Sequence, residues 1–505
     1  MRKKVLDKTA YKKICSAFKK QKSGLTIADI TAKTALPLQT VKELVPIAAD
    51  EFGAHLKVTE SGEILYTFSG VWSSKYKSIT ARFACAADKF VCGLKITAAA
   101  IFKLWIMIML IGYFVFFLLL AIAALFVSIA ASSQSKNNRR SNSGGALYFV
   151  SGLFDLFIRI WFYSELTKSY SGNYNKNEKF GRAQHKPKGK PLHNAIFSFV
   201  FGDGNPNADI DEREKRALIA YIQANKGVIT LPEFMIFTAL APVQAENKII
   251  EYCAEYGGSP QASDDGIVVY HFDELLLRAE KNNETITPHT LGSGHQSMRF
   301  SAPLKYLTKF SSNESKMNSS FCFINGINLL FGGYFLNFCI SVPQGPTDGA
   351  FLFELTHNLF SQLFEIVNPM PIIFWGLGIV PVAFSVLFWL IPAIRLALFT
   401  KENETIKADN LRKCSYSFIY EKPLAVKSNE LKVAAKECSP ANLSLVQDKI
   451  VKEIGAYSMP QVSVNEKGET IYSYNDLQRE KQSLAKYRSA INTNSYGLGD
   501  VIFET

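Results

Sequence analysis

The sequence predicts a membrane protein in which α-helical transmembrane segments carry α+β, winged-helix-like cytoplasmic modules. Three observations support that prediction. Apolar residues make up 48% of the 505-residue chain, which includes 38 phenylalanines, and they cluster in runs of bilayer length. The N-terminal region orders a helix-turn-helix pattern before a hairpin pattern. One nine-residue phrase, "ESGEILYTF" from Glu60 to Phe68, returns as "DDGIVVYHF" from Asp264 to Phe272 and as "EKGETIYSY" from Glu466 to Tyr474.

The start of the chain, "MRKKVLDKTAYKKICSAFKK", is basic but is followed by no apolar stretch, so it does not read as a secretory signal peptide. Thr26 is placed to cap a helix that breaks near Leu36-Pro37. Pro37 suits the first turn of the next helix, where its missing N–H costs nothing, and Gly53 suits the C-cap. Gly62 then stands where a tight hairpin needs positive φ. By the two-residue period of a strand, Tyr66 and Phe68 share a face that should pack on a helix. Residues 1–75 are therefore expected to form a winged-helix-like domain.

The middle copy follows "KRALIAYIQANKGVITLPEFMIFTALAPVQAENKIIEYCAEYGG", with Gly257 in the role of Gly53, nine residues before the turn glycine in both copies. A second winged-helix-like module is expected over 210–280. In the third copy Gly455 stands thirteen residues before Gly468, which predicts a longer hairpin or a shifted register. Residues 401–505 are expected to be a cytoplasmic region holding this divergent repeat.

A helix needs about 20 apolar residues to cross a bilayer. The runs 104–131, 321–342 and 372–399 meet that length. A fourth, 146–163, carries Asp155 and Arg159 on one helical face and reads as a short span or an interfacial helix. Hence 97–163 is expected to be a transmembrane region and 319–400 a transmembrane hairpin. The linker 164–192 holds Lys168, Lys176, Lys179, Arg182, Lys186, Lys188 and Lys190. It suits an anionic leaflet, and it equally suits the rule that positive loops stay cytoplasmic.

The loop 343–370 contains no Lys or Arg, whereas Lys305, Lys309, Lys316, Arg395 and Lys401 flank the hairpin. That loop is therefore expected to lie opposite the cytoplasm, with 164–318 and 400–505 on the cytoplasmic side of the inner cell membrane. Four crossings place the N-terminal domain inside as well. The alternative bends the first run near Gly112 into a re-entrant hairpin, leaving three crossings.

Residues that bear chemistry form no catalytic constellation, and no catalytic, cofactor-binding or metal residue is assigned. The eight cysteines include no CxxC pair, which argues against a zinc ribbon, a redox motif or a disulfide scaffold. Asp203, Asn205, Asn207, Asp209, Asp211 and Glu214 fall at the ligand positions of a calcium loop. However, Ala208 stands where the sharp turn wants Gly, and Asp209 or Asp211 serves as readily as a helix cap. The histidines, among them His55 and His271 within the repeats, form no HExxH or close pair, and a partly exposed hairpin position is expected for those two. Gly292, Gly294 and His295 read as loop. The second helix of the N-terminal pattern offers only Gln39 and Lys42 against Glu43, Asp50 and Glu51, a poor set for reading DNA.

The phrases "GAHLKVTESGEILYTFSG" and "FSFVFGDGNPNADIDEREKRALIAYIQANKGVIT" resemble an uncharacterised family of cyanobacterial and plastid membrane proteins. The resemblance covers roughly residues 20–280 well and the C-terminal half loosely. It implies a helix-turn-helix-like N-terminal domain joined to transmembrane segments, and it implies no particular activity. Plant members sometimes carry an iron–sulfur label, which this chain's scattered cysteines do not support. The expectation is a membrane-anchored, non-enzymatic scaffold or interaction protein, without a cofactor, that meets membrane lipids and an unidentified protein partner. A membrane-tethered winged-helix transcription regulator is one alternative, and a small transporter or membrane assembly factor is another.

Overall fold

A computed structural model describes residues 7–19, 24–68, 79–134, 152, 155, 190–279, 302–341, 350–362, 364–427, 431, 438–464, 466, 468–492 and 496–504. The chain divides into two units. One comprises Met1–Arg82, Asn205–Thr308 and Lys401–Thr505, and the other comprises Phe83–Gly204 and Lys309–Thr400.

In the second of these units, Phe90–Ile129, Ser315–Ser341 and the apolar part of Met370–Glu421 are helices long and apolar enough to cross a membrane. Their outward faces carry Ile108, Leu119, Phe126, Leu330 and Leu398, all well exposed to the surroundings. A helix that is apolar on every side suits lipid or a deep core. Inside, Leu110, Phe114 and Leu118 meet Phe199, Phe321, Ile324 and Phe388, while Phe117 and Leu120 meet Phe335, Phe338 and Ile373.

Two of these helices approach closely because glycine stands at the crossing. A Cβ on Gly378 would lie 3.3 Å from the Leu336 Cα, and one on Gly332 would lie 3.1 Å from Pro381. Small residues let helix backbones pack closely where lipid removes the usual hydrophobic drive.

Two segments, Ile108–Gly112 and Ile373–Ile379, are π-helical. Pro381 cannot donate to a carbonyl one turn back, which accounts for the second departure from α geometry just before it. Polar side chains from neighbouring helices meet the carbonyls in both segments. Asn328 Nδ2 donates to Leu110 O at 2.7 Å, and the Tyr113 hydroxyl donates to Gly376 O at 2.7 Å. The helix continues past Gly112 to Gln134, so the chain does not reverse there as the three-crossing alternative required. Within the loop that lacks Lys and Arg, Phe351–Gln362 is a helix that buries Phe353 and Thr356. Of the 146–163 run only Gly152 and Asp155 are described, both helical; Arg159 and nearly all of the basic linker lie outside the described residues.

The other unit opens with α1 (Lys8–Lys19), α2 (Ile27–Thr34) and α3 (Leu38–Phe52), followed by β1 (His55–Thr59) and β2 (Ile64–Thr67). Thr26 and Asp29 cap α2 reciprocally, Pro37 precedes α3, and Gly53 ends it at φ 66°. Leu25 exchanges backbone hydrogen bonds with Tyr66. Tyr66 is buried with Ile14, Phe18, Ile30, Val41 and Val45, and the Phe68 ring lies 4.5 Å from that of Phe18 on α1.

A short strand, then helix, then hairpin follow in that order twice more, with two helices described in the second copy and one in the third. β3 (Val228–Ile229) leads into helices Leu231–Thr238 and Pro242–Tyr256, then β4 (Ser259–Ala262) and β5 (Val268–His271). β6 (Val426–Lys427) precedes the Leu443–Tyr457 helix, β7 (Gln461–Val464) and β8 (Thr470–Ser473). In register, Leu25, Ile229 and Val426 pair with Tyr66, Tyr270 and Tyr472. Those tyrosines pair on their other side with Leu56, Pro260 and Val462. The turn glycines Gly62, Gly266 and Gly468 adopt φ 82°, 80° and 76°.

The third hairpin is thus neither longer nor shifted. The helix before it runs through Gly455 to Tyr457, and Ser458 ends it, so Gly455 is not the counterpart of Gly53. After the third hairpin come the Asn475–Ala490 helix and β9 (Val501–Glu504). β9 pairs antiparallel with the outer edge of β1 to give the order β2-β1-β9, whereas the other sheets are β3-β5-β4 and β6-β8-β7.

One apolar core runs through this unit. Leu38, Phe234, Ile249, Tyr256 and Phe272 pack with Leu411, Ile419, Tyr420, Ile450 and Tyr474. Full burial of a side chain of this size stabilises by about 1.5–3 kcal/mol.

Candidate functional site

A buried polar group in the Lys401–Thr505-containing unit centres on Glu233. Its position follows from local sequence: Thr230 caps the Leu231–Thr238 helix, and the Thr230 N–H donates to Glu233 Oε2 at 3.3 Å. Only 1% of Glu233 is exposed, so its charge needs partners. Tyr221 and Tyr420 hydroxyls donate to Oε1 at 2.7 and 3.1 Å. Arg488 on the Asn475–Ala490 helix donates from Nη1 to Oε1 at 2.9 Å and from Nη2 to Oε2 at 2.7 Å. Nη2 also reaches Val228 O at 2.7 Å.

Burial, together with the Glu233 charge, pushes both tyrosine hydroxyls well above their ordinary pKa. Burial works against the Arg488 cation, but Glu233 outweighs it and raises the arginine's pKa. Nearby, Glu480 is buried and accepts from the Tyr457 hydroxyl at 2.9 Å. Burial lifts its pKa to about 7, with the Tyr457 bond opposing and the Glu233 charge adding.

The group aims its Tyr221, Tyr420 and Arg488 Nη donors at a carboxylate or a carbonyl. It fastens elements of this unit together. Similar fasteners recur. Arg412 grips Glu453 at 3.0 and 3.1 Å, Lys413 reaches Glu214 and Pro303 O, and Asp29 receives Arg278 and the Ala279 N–H. A shallow groove beside Glu480, lined by Asp265, Asp476, Arg479 and Lys486, mixes both signs of charge.

The hairpin edges are the other candidate surface. Backbone N–H groups alternate along an antiparallel strand. Thr59 N–H points inward to Glu63 O, so the Leu56 and Val58 N–H groups point outward, toward β9. In β4, Ser263 N–H is likewise inward to Ile267 O, which leaves Pro260, with no N–H, facing outward. The shared register makes Val462 and Val464 the outward-facing counterparts in β7, and both are about two-thirds exposed.

The residues singled out from the sequence fall as follows. Asp203 accepts from Lys190 and from the Ser312 N–H. Asn207 pairs with the Tyr306 backbone in both directions, Asp209 pairs with Arg213 at 3.2 Å, and Glu214 with Lys413. These oxygens therefore serve separate partners, and among the described residues no group of three or more His, Cys, Asp or Glu is arranged to hold a metal ion. Asp209 occupies the cap position without a side-chain cap bond.

His55 is exposed, whereas His271 is buried, with Nδ1 3.1 Å from Asp273; β3 on one side and β4 on the other enclose the middle strand that carries it. On α3, Gln39 is bonded to Glu43, Lys42 to Glu274 at 2.6 Å, and Leu38 is buried. Gly292, Gly294 and His295 lie outside the described residues.

Sequence reasoning missed two groupings. The T-x-x-E signal in "TLPE" marks Glu233 as a capping residue, but nothing local points to Arg488, 255 positions away. Cys414 and Cys438, read as isolated, bring their sulfurs within 3.7 Å.

No known protein-family model matches the chain. An uncharacterized chloroplastic protein of Arabidopsis thaliana is 29% identical over 96 residues, which is 18% of this chain and 18% of that protein. The similarity thus spans less than a fifth of the relative's length. No solved structure matches.

Proposed function

We propose that the chain is a membrane-anchored, non-enzymatic scaffold whose three winged-helix-like modules bind a protein partner by adding a strand to an open hairpin edge. The observation that carries this reading is β9, which already adds a strand to the outer edge of β1. Strand addition draws affinity from main-chain hydrogen bonds and specificity from alternate side chains. Exposed edges are usually blunted. Here β1 is covered by β9 and β4 carries the outward Pro260, whereas β7 leaves Val462 and Val464 exposed.

The winged-helix reading rests on the order helix, helix, hairpin in the first two copies, and on a preceding short segment paired with the second hairpin strand in all three. Protein rather than DNA is favoured because Leu38 and Lys42 on α3 are engaged within the protein and acids flank them. The basic linker faces an anionic leaflet on the same side as the modules, and the loop without Lys or Arg lies opposite.

Cross-linking of the full-length protein in intact membranes, followed by affinity capture, tests the reading. A partner captured by the wild type and lost with Val462→Pro, which removes one outward N–H, is the expected result. Capture of the same partners at the same yield by both proteins refutes strand addition at β7.

A further inference from the structure

Cys414 lies on the Val380–Glu421 helix and Cys438 lies beyond β6, 24 positions later, yet their Sγ atoms stand 3.7 Å apart. Both are buried in the core shared by Leu411, Leu431 and Ile450. Burial ordinarily suppresses a thiol's ionisation, and it pushes Cys253 up to about 11. Cys414 goes the other way. The hydrogen bond from Cys438 stabilises its thiolate, burial opposes, and the neighbouring Lys413 cation helps.

We propose that Cys414 and Cys438 form a modification site, a dithiol that hydrogen peroxide converts into an intramolecular disulfide. The Cys414 sulfur attacks one peroxide oxygen, the O–O bond breaks, and hydroxide leaves, taking up a proton to become water. Cys414 is then a sulfenic acid. The Cys438 sulfur displaces that hydroxyl, the S–S bond forms, and the second water departs with the Cys438 proton. Two thiols and one peroxide become one disulfide and two waters, so the sulfurs lose the two electrons that the peroxide gains.

The sulfurs must close by about 1.7 Å from 3.7 Å, a distance within reach of side-chain rotation. A peroxide-sized oxidant suits a buried pair better than a protein disulfide, whose bulk could not approach. The bond would close the segment that contains β6, the strand that starts the third sheet, onto the helix that carries Cys414.

The test uses the full chain in detergent or native membranes. Samples are treated with hydrogen peroxide, quenched in acid, alkylated in denaturant and mapped by mass spectrometry with and without dithiothreitol. The expected product is a reducible peptide pair linking Cys414 to Cys438, with alkylation of both falling about tenfold while Cys253 stays free. In Cys438→Ser, dimedone should trap a sulfenic acid at Cys414; should that variant fail to fold, the wild-type mapping decides alone. The proposal is overturned if both cysteines stay alkylatable at a dose that oxidises the exposed Cys92. A disulfide from either one to a different cysteine also overturns it.

Discussion

Replacing Arg488 by Met leaves Glu233 buried without its cation. Removing one partner of a buried ion pair typically costs about 3–5 kcal/mol. Two features favour the lower end. Glu233 keeps the hydroxyls of Tyr221 and Tyr420 and the Thr230 N–H, and the Arg488 side chain is 17% exposed, so water can reach the vacated space. About 3 kcal/mol is therefore expected, which at 1.4 kcal/mol per decade is roughly a hundredfold.

The chain has two units, so a single melting midpoint would not isolate this loss. Native-state amide exchange over Leu231–Thr238 and Asn475–Ala490 does, because those helices carry the two partners. Exchange there should accelerate about a hundredfold in Arg488→Met. Adding Glu233→Gln removes the stranded charge while keeping an acceptor for the tyrosines, and should recover most of the loss. Exchange within twofold of wild type in the single variant would refute the argument, as would a double variant as fast as the single (roughly the resolution of such couplings).

Glu480 titrates near 7 in the folded protein against an ordinary 4.5, so the folded state holds its proton more tightly. That contribution to stability is fully present below the unfolded value and is lost as pH rises through about 7. Glu480→Gln should therefore raise the resistance of the Asn475–Ala490 helix to exchange at pH 8 and leave it unchanged at pH 4; an equal effect at both would exclude this origin. Asn328→Leu strips the Leu110 carbonyl of its donor in the unit that holds the long apolar helices and should cost about 1 kcal/mol in a detergent unfolding titration, and no change would mean that the π segment is satisfied otherwise. In a cysteine-free background, Ser361→Cys should react with an impermeant label in intact cells and Ser489→Cys should not; the reverse pattern would invert the proposed orientation.

The features that could be read from the sequence are those whose cause lies within a few residues. Thr26 with Asp29, Pro37 before α3, Gly53 after it, and the three turn glycines each answer a local demand of the backbone. The long apolar helices were readable because length and composition alone decide whether a helix suits a bilayer. The same local logic fails at Gly455: a glycine near a helix end suits a cap, yet the helix runs two residues further, to Tyr457. It could not reach Arg488, Cys438 or β9, whose partners lie 255, 24 and more than 400 positions away. Those pairings are set by how preformed elements dock, and no periodicity along the chain encodes them. His271 shows the boundary between the two regimes: its strand was recognisable, but its burial depends on β3, a two-residue strand that pairs across it.

The three hairpins agree in register and differ at their outer edges, and that contrast bears on function. Register is strongly specified wherever one face of a strand is buried, because a one-residue slip would turn Tyr66, Tyr270 or Tyr472 to the other face. The outer edge is under no such demand, so what occupies it reflects a separate requirement. In the first sheet the edge is filled from within the chain by β9, bound through Val58 opposite Phe503 and Lys57 opposite Glu504. In the second, Pro260 removes a donor and discourages pairing. The β7 edge turns Val462 and Val464 outward and exposed, a combination that suits an added strand. If the three edges served only to avoid aggregation, β7 would be expected to carry a proline or a charge as well, and its Gln461-Val462-Ser463-Val464 sequence carries neither.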